Sequence, residues 1–268
     1  MHAPYGCVTT LKSASDHAQH RSQHLVRSVA GDAGVIERQR AIHENRRLMY
    51  AFLSRMFERE VTLDLLKELS DKKNPILDAA SLEGFDDEKL RKGYELVGGY
   101  LRSAADRDLN KVKLELAVEY ANLFLGVKKK PAHPSESVYV SESQSMYQEP
   151  RDRALFTYWE AGVDKKKEYT EPEDHIAIEL QFMEYLCRRV VESVQKLDTG
   201  EAVRFLKISQ GFLRDHLCVW VPRLAKDIYE SAEIDFYKGV ATMTDAFTAI
   251  DSRAVAASLD ELRETLLK

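Results

Sequence analysis

Apolar residues recur at Ile176, Leu180, Met183, Cys187, Val190, Val194 and Leu197. Spacings that alternate between four and three keep every one of these side chains on a single face of a helix. A second row, Ile178, Phe182, Tyr185 and Leu186, widens that face. A helix apolar over so much of its girth must be covered on more than one side. Just before it lies Thr170-Glu171-Pro172-Glu173-Asp174-His175. Thr170 with Glu173 has the spacing of a capping box. Pro172 suits a first helical turn, and the acidic groups suit the positive end of the helix dipole. The pattern predicts a helix that begins at about residue 171.

The rest of the chain has the same period. Helices are expected from Glu37 to about Phe57, with Ile42, Leu48, Met49, Phe52, Leu53 and Met56 facing the core, and over roughly 62–70, 86–106, 109–125 and 151–161. Asn74-Pro75 should interrupt the chain after the second of these, and Gly126 and Gly162 should end the fourth and fifth. Residues 127–149 are expected to be a loop. A further helix over about 200–231 carries Val203, Leu206, Leu213, Leu217, Trp220, Leu224 and Ile228 in phase, with Pro222 predicting a kink or break one turn earlier. Two last helices are expected over 235–249 and 252–267. With no strand pattern longer than a few residues, and only 12 glycines and 7 prolines in 268 residues, the fold class is all-α: one helical domain of nine to eleven helices over 37–268, in halves joined by the charged linker 163–170. That linker would permit exchange of the C-terminal half between protomers, although a monomer is expected. Residues 1–36 are polar, hold His2, His17, His20 and His24, and are expected to be a flexible extension.

A net charge of −5 argues against nucleic acid as a partner, which needs a basic face. No run approaches the ~18 apolar residues of a membrane span. Cys7, Cys187 and Cys218 have neither metal nor disulfide spacing, which suits a reducing compartment.

Asp174 and His175 are the first candidates for chemistry. The pair can serve as a proton carrier, a ligand or a binding anchor; it can equally be a capping aspartate beside a half-buried histidine. His175 and Glu179 share a helical face and could reach one metal, but a third and a fourth ligand are missing and no HExxH pattern exists. No metal and no cofactor are expected. There is no phosphate-cradling glycine loop and no nucleophile elbow. The lysine runs 128–130 and 165–167 fit solvated loops. The acidic stretch around Glu171 and Glu173 would suit a ligand that carries arginines. Aromatic residues, Tyr120, Phe124 and Tyr139 among them, gather ahead of the long helix.

These residues resemble a known family. Glu171-Pro172-Glu173-Asp174-His175-Ile176, with Glu179-Leu180 and Phe182-Met183, is similar to the signature of the TorD/DmsD (NarJ-like) redox-enzyme maturation chaperones. Tyr120-Ala121-Asn122-Leu123-Phe124-Leu125-Gly126, Pro134-Ser135-Glu136-Ser137-Val138-Tyr139, and Phe212-Leu213, His216-Leu217 and Trp220-Val221-Pro222 agree in order and spacing. The resemblance implies a cytoplasmic all-helical chaperone that is not an enzyme. It implies binding of the twin-arginine (Tat) signal peptide of a molybdenum- or tungsten-cofactor oxidoreductase, whose apo form is held back from export until its cofactor is inserted. Carried over by motif, the peptide-binding residues are Asp174, His175, Pro172, Glu171, Tyr120, Phe124 and Tyr139. The family's pocket tryptophans are replaced here by Tyr120, Lys128 and Tyr139. Read without the resemblance, the residues leave two alternatives: a helical metal- or nucleotide-dependent hydrolase using His175 and Glu179, or a structural helical adaptor.

Overall fold

A computed structural model of the chain describes residues 14–71, 87–126, 132–166 and 169–266. Asn74-Pro75, Lys128 to Pro131, Lys167 and Glu168 lie outside the described residues. Among the described residues ten α-helices follow one another: α1 (Ala14–Glu58), α2 (Leu63–Leu69), α3 (Glu88–Ala104), α4 (Leu109–Phe124), α5 (Glu136–Val140), α6 (Glu149–Glu160), α7 (Ile176–Gln195), α8 (Thr199–Phe212), α9 (Cys218–Ser231) and α10 (Asp235–Leu266). A π-helical turn, Leu213–Leu217, joins α8 to α9. Among the described residues the only β pairing is a single antiparallel bridge between Ser135 and His175. The fold is a single all-α domain, as expected.

Local chemistry explains most of the helix boundaries. Asp87 caps α3 by accepting from the Leu90 N–H, and Asp108 caps α4 by accepting from the Asn110 N–H. Gly126 and Gly162 take the positive φ that ends α4 and α6, at +74° and +79°. Pro222 has no N–H to offer the preceding turn, and the helix widens into the π turn just ahead of it. The kink or break foreseen ahead of Pro222 takes the form of this π turn.

The centre of the domain is α7, packed along α1 on one side and α8 on the other, while α10 lies against α3, α9 and α8. The expected stripe from Ile176 to Val194 is wholly buried, and so is the in-phase row from Val203 to Ile228. The crossing of α3 with α10 is tight: a Cβ on Gly239 would come within 2.7 Å of the Gly93 carbonyl oxygen.

Five expectations need correction. Helix α1 begins at Ala14, ahead of the expected Glu37. Of its expected core face, Leu53 and Met56 are buried and Met49 and Phe52 pack partly buried against the core, but His43, Arg46, Tyr50 and Phe57 are also inside and Leu48 is 53% exposed. The difference follows from Asp251 of α10, which receives the Arg46 guanidinium and the Tyr50 hydroxyl and so draws polar residues of α1 inward. The two expected C-terminal helices are one, α10; neither glycine nor proline falls near residues 250–252, and Asp251 spends its side chain on Arg46 and Tyr50 instead of on a turn. Leu197 leaves the stripe: α7 stops at Gln195, and Leu197 sits at φ +60° and is 68% exposed. Within 127–149, residues 136–140 form the one-turn helix α5. The fifth correction, the start of α7, defines the site.

Candidate functional site

Helix α7 starts at Ile176, not at 171, and its cap is His175, whose Nδ1 accepts from the Ala177 N–H at 3.1 Å. The capping box of Thr170 with Glu173 does not form because tertiary partners claim the segment first. Glu173 is held by Arg151 and by Lys165, the latter at 3.2 Å. The Glu173 carbonyl accepts from the Tyr158 hydroxyl at 2.8 Å. Residues 172–175 close a turn through the His175 N–H and the Pro172 carbonyl. They then pair with the 134–136 strand-like run: the Ile176 N–H donates to the Pro134 carbonyl at 2.8 Å and the Glu136 N–H to the Asp174 carbonyl at 3.0 Å.

Asp174 thus turns away from α7. Its Oδ2 accepts from the Ser137 N–H at 2.8 Å, satisfying a donor at the start of α5. The hydroxyl of Ser137 in turn accepts from the Gln148 N–H at 3.2 Å, ahead of α6. Asp174 is the clamp that fixes α5 and the following loop to the mouth of α7. It is completely buried and His175 is 5% exposed. Burial raises the Asp174 carboxyl pKa above its ordinary range. Burial, helped by His133 and Lys165, lowers the His175 imidazole to about 4, so it is neutral at pH 7 and free to accept at Nδ1.

The remaining expected site residues fall in two neighbourhoods. Tyr120 and Phe124 of α4 pack edge to face at 5.0 Å, with Phe57 and Tyr237 against them, and the Tyr120 hydroxyl donates to the Phe57 carbonyl at 2.9 Å. Burial first, then the charge of Glu171, pushes the Tyr120 phenol up to about 12. Glu58 and Glu60 act on the same phenol. Pro172 is buried and Glu171 exposed. Tyr139 of α5 lies elsewhere, 5.6 Å from the Trp220 ring, with its hydroxyl donating to Asp227 at 2.9 Å. A cavity of about 260 Å³ opens between residues 163–166 and α7, bordered by Tyr158, Lys165, Tyr169, Phe182, Tyr185 and Arg188.

Glu179 is not with His175. The histidine nitrogen nearest the helix is spent on the cap, and Glu179 points to another set: Trp220 Nε1 donates to its Oε2 at 2.9 Å, and Glu136 is beside it. Burial and the neighbouring Glu136 raise the Glu179 carboxyl well above its usual range. Glu136 also meets His216 Nδ1 at 2.7 Å. Ser137, Glu136, His216, Trp220, Tyr158 and Arg151 were therefore missing from the residues singled out as a site. The sequence signal was present for four of them, which stand inside the recognised motif stretches, but nothing in their spacing tells which side chains turn inward.

Comparison with known proteins fits this arrangement. Residues 87–226, just over half of the chain, match the family described as Nitrate reductase delta subunit. This chain belongs to that family. Similarity to individual relatives extends over most of the chain. It is 28% identical to the Chaperone protein TorD of Photobacterium profundum over 213 residues, which is 79% of this chain and 94% of that protein. It is 29% identical to the Chaperone protein TorD of Vibrio parahaemolyticus over 218 residues, 80% of this chain and 95% of that one. As a member of the delta-subunit family, the chain holds α4, the Asp174 clamp and the π turn all within the matched region. None of its described helices is long and apolar enough to cross a membrane.

Proposed function

We propose that this protein is a cytoplasmic chaperone that binds the Tat signal peptide and the apo catalytic subunit of a molybdenum- or tungsten-cofactor oxidoreductase, assists cofactor insertion and delays export. The observation that carries the reading is similarity over 94–95% of the length of proteins named as TorD chaperones. The site supports it in chemistry. Exposed Glu171, with Glu58 and Glu60 acting on the same Tyr120 phenol, offers anionic groups near the buried Tyr120 and the half-buried Phe124 ring. A twin-arginine peptide has the complementary pair, a basic head followed by an apolar stretch. Asp174, His175 and Pro172 act in this reading by holding the mouth of α7 and α5 in place, and Tyr139 presents its ring from the segment they hold. The role needs no catalytic residue and no redox cofactor, and the working form is a monomer, with exchange of the C-terminal half as the route to a dimer.

Affinity capture on the tagged full chain from cell lysate, with the captured partner identified by mass spectrometry, tests this reading. The expected catch is an oxidoreductase precursor that retains its twin-arginine segment. Capture of only processed enzyme, or of no oxidoreductase, contradicts it.

A further inference from the structure

Four buried oxygens in the residues that open α5 and α7 lack a hydrogen-bond partner, Ser135 Oγ, Glu136 Oε1, Asp174 Oδ1 and Glu179 Oε1, and of these Glu136 Oε1 has the Arg153 guanidinium 4.0 Å away. All four residues are fully buried. Buried polar atoms are nearly always paired, and a cluster of exceptions marks a missing water or ion. Two of these orphaned oxygens belong to carboxyls that share one neighbourhood with an imidazole: Glu136, Glu179 and His216 each place a ligand atom within 4.8 Å of the others.

We propose that Glu136, Glu179 and His216 form a binding site for one divalent first-row transition-metal ion. Mixed carboxylate and imidazole donors suit zinc, manganese or ferrous iron. The ligands come from three separate elements, α5, α7 and the π turn, so an ion there would tie α5 to the centre of the domain. The supporting contacts are those a metal site requires. Trp220 Nε1 holds Glu179 Oε2 at 2.9 Å and leaves Oε1 without a partner. Bonds of about 2.0–2.2 Å need the ligand atoms to draw in by roughly 1 Å from that outer separation. A dication would also offset the cost of two buried carboxyls side by side. A cavity of about 430 Å³ between α6, α8 and the π turn reaches His216, though neither carboxylate lines it. The alternative explanation of the same geometry is a proton shared between Glu136 and Glu179, with water on the remaining oxygens.

The experiment uses the full chain, stripped with EDTA and then titrated separately with zinc and manganese. Bound metal is measured after dialysis, and thermal unfolding is followed by circular dichroism. The expected result is about one ion per chain, with a rise in Tm on addition. In Glu179→Gln, the affinity should fall on the order of 100-fold or more and the Tm rise should vanish. Histidines at positions 2, 17, 20 and 24 are unchanged in that variant, so an ion that persists there belongs to the N-terminal stretch and overturns the proposal. Should Glu179→Gln fail to fold, Glu136→Gln takes its place in the comparison, and in wild type no retained ion and no Tm response to either metal overturns the proposal in favour of the shared proton. The peptide-binding reading does not depend on this site and would stand after such a result.

Discussion

Asp174 separates two physical roles that the sequence left open, and its replacement can be worked through in numbers. Asp174→Ala removes the only acceptor seen for the Ser137 N–H, a donor in a fully buried residue. A buried donor left without a partner costs about 1–3 kcal/mol. Part of that is offset, because the substitution also removes a buried carboxyl with one orphaned oxygen and a raised pKa. The net loss should be about 2 kcal/mol, or roughly 4–8 °C in Tm for a domain of this size. Asp174→Asn keeps an acceptor in the same place and should cost less than about 1 kcal/mol. Thermal unfolding followed by circular dichroism at 222 nm and pH 7 gives both values. Limited proteolysis between residues 141 and 148 should quicken in the alanine variant, because the clamp on α5 is gone. If alanine leaves Tm unchanged, or asparagine costs as much as alanine, Asp174 does not hold α5 by this bond. If asparagine abolishes peptide binding at unchanged stability, the carboxylate itself contacts the ligand.

Three other outcomes follow from the packing. The folded His175 pKa, about 4, lies below the ordinary 6.5, so its contribution to stability is complete above pH 6.5 and is lost as pH falls towards 4; the drop totals about 3 kcal/mol at ~1.4 kcal/mol per unit. His175→Asn caps without titrating, so the stability gap between it and wild type should change by that amount between pH 7 and pH 4 in urea titrations, and parallel curves would refute the assignment. Gly239→Ala should cost about 1–3 kcal/mol by prying α10 from α3, and a thermally neutral alanine there would contradict the close crossing. Asp251→Ala leaves the buried Arg46 without its counter-ion and should cost about 3–5 kcal/mol, read as a shift in the urea midpoint; a loss within ~0.5 kcal/mol would mean that the α1–α10 pair is not formed.

Most of the fold was legible because most boundaries have local causes. Asp87, Asp108, Gly126, Gly162 and Pro222 each act within a turn of their own position, and the period of α7 and α8–α9 names their buried faces directly. What escaped depended on distant partners. Thr170 and Glu173 satisfy a capping pattern, yet Arg151, Lys165 and residues 134–136 outbid it, and α7 starts at His175. The inner face of α1 could not be fully phased without knowing that Asp251 waits on α10. The site shows the same division. Asp174 and His175 were visible as a pair, but their burial was not, nor was the meeting of Glu136, Glu179 and His216 from three elements. Spacing reveals partners only within one helix.

Calorimetric titration of the full chain with a synthetic twin-arginine signal peptide, at low and at high salt, tests the central reading most directly. The expected result is one peptide per chain, weaker binding at high salt because exposed charges are screened within ~10 Å at 0.1 M, and a loss of about 0.2–1 kcal/mol in Glu171→Gln, an exposed contact. A peptide with both arginines replaced by glutamine that binds the wild type equally well would contradict recognition of the basic head. The absence of any binding heat, together with unchanged peptide fluorescence anisotropy, would contradict the chaperone's proposed ligand altogether.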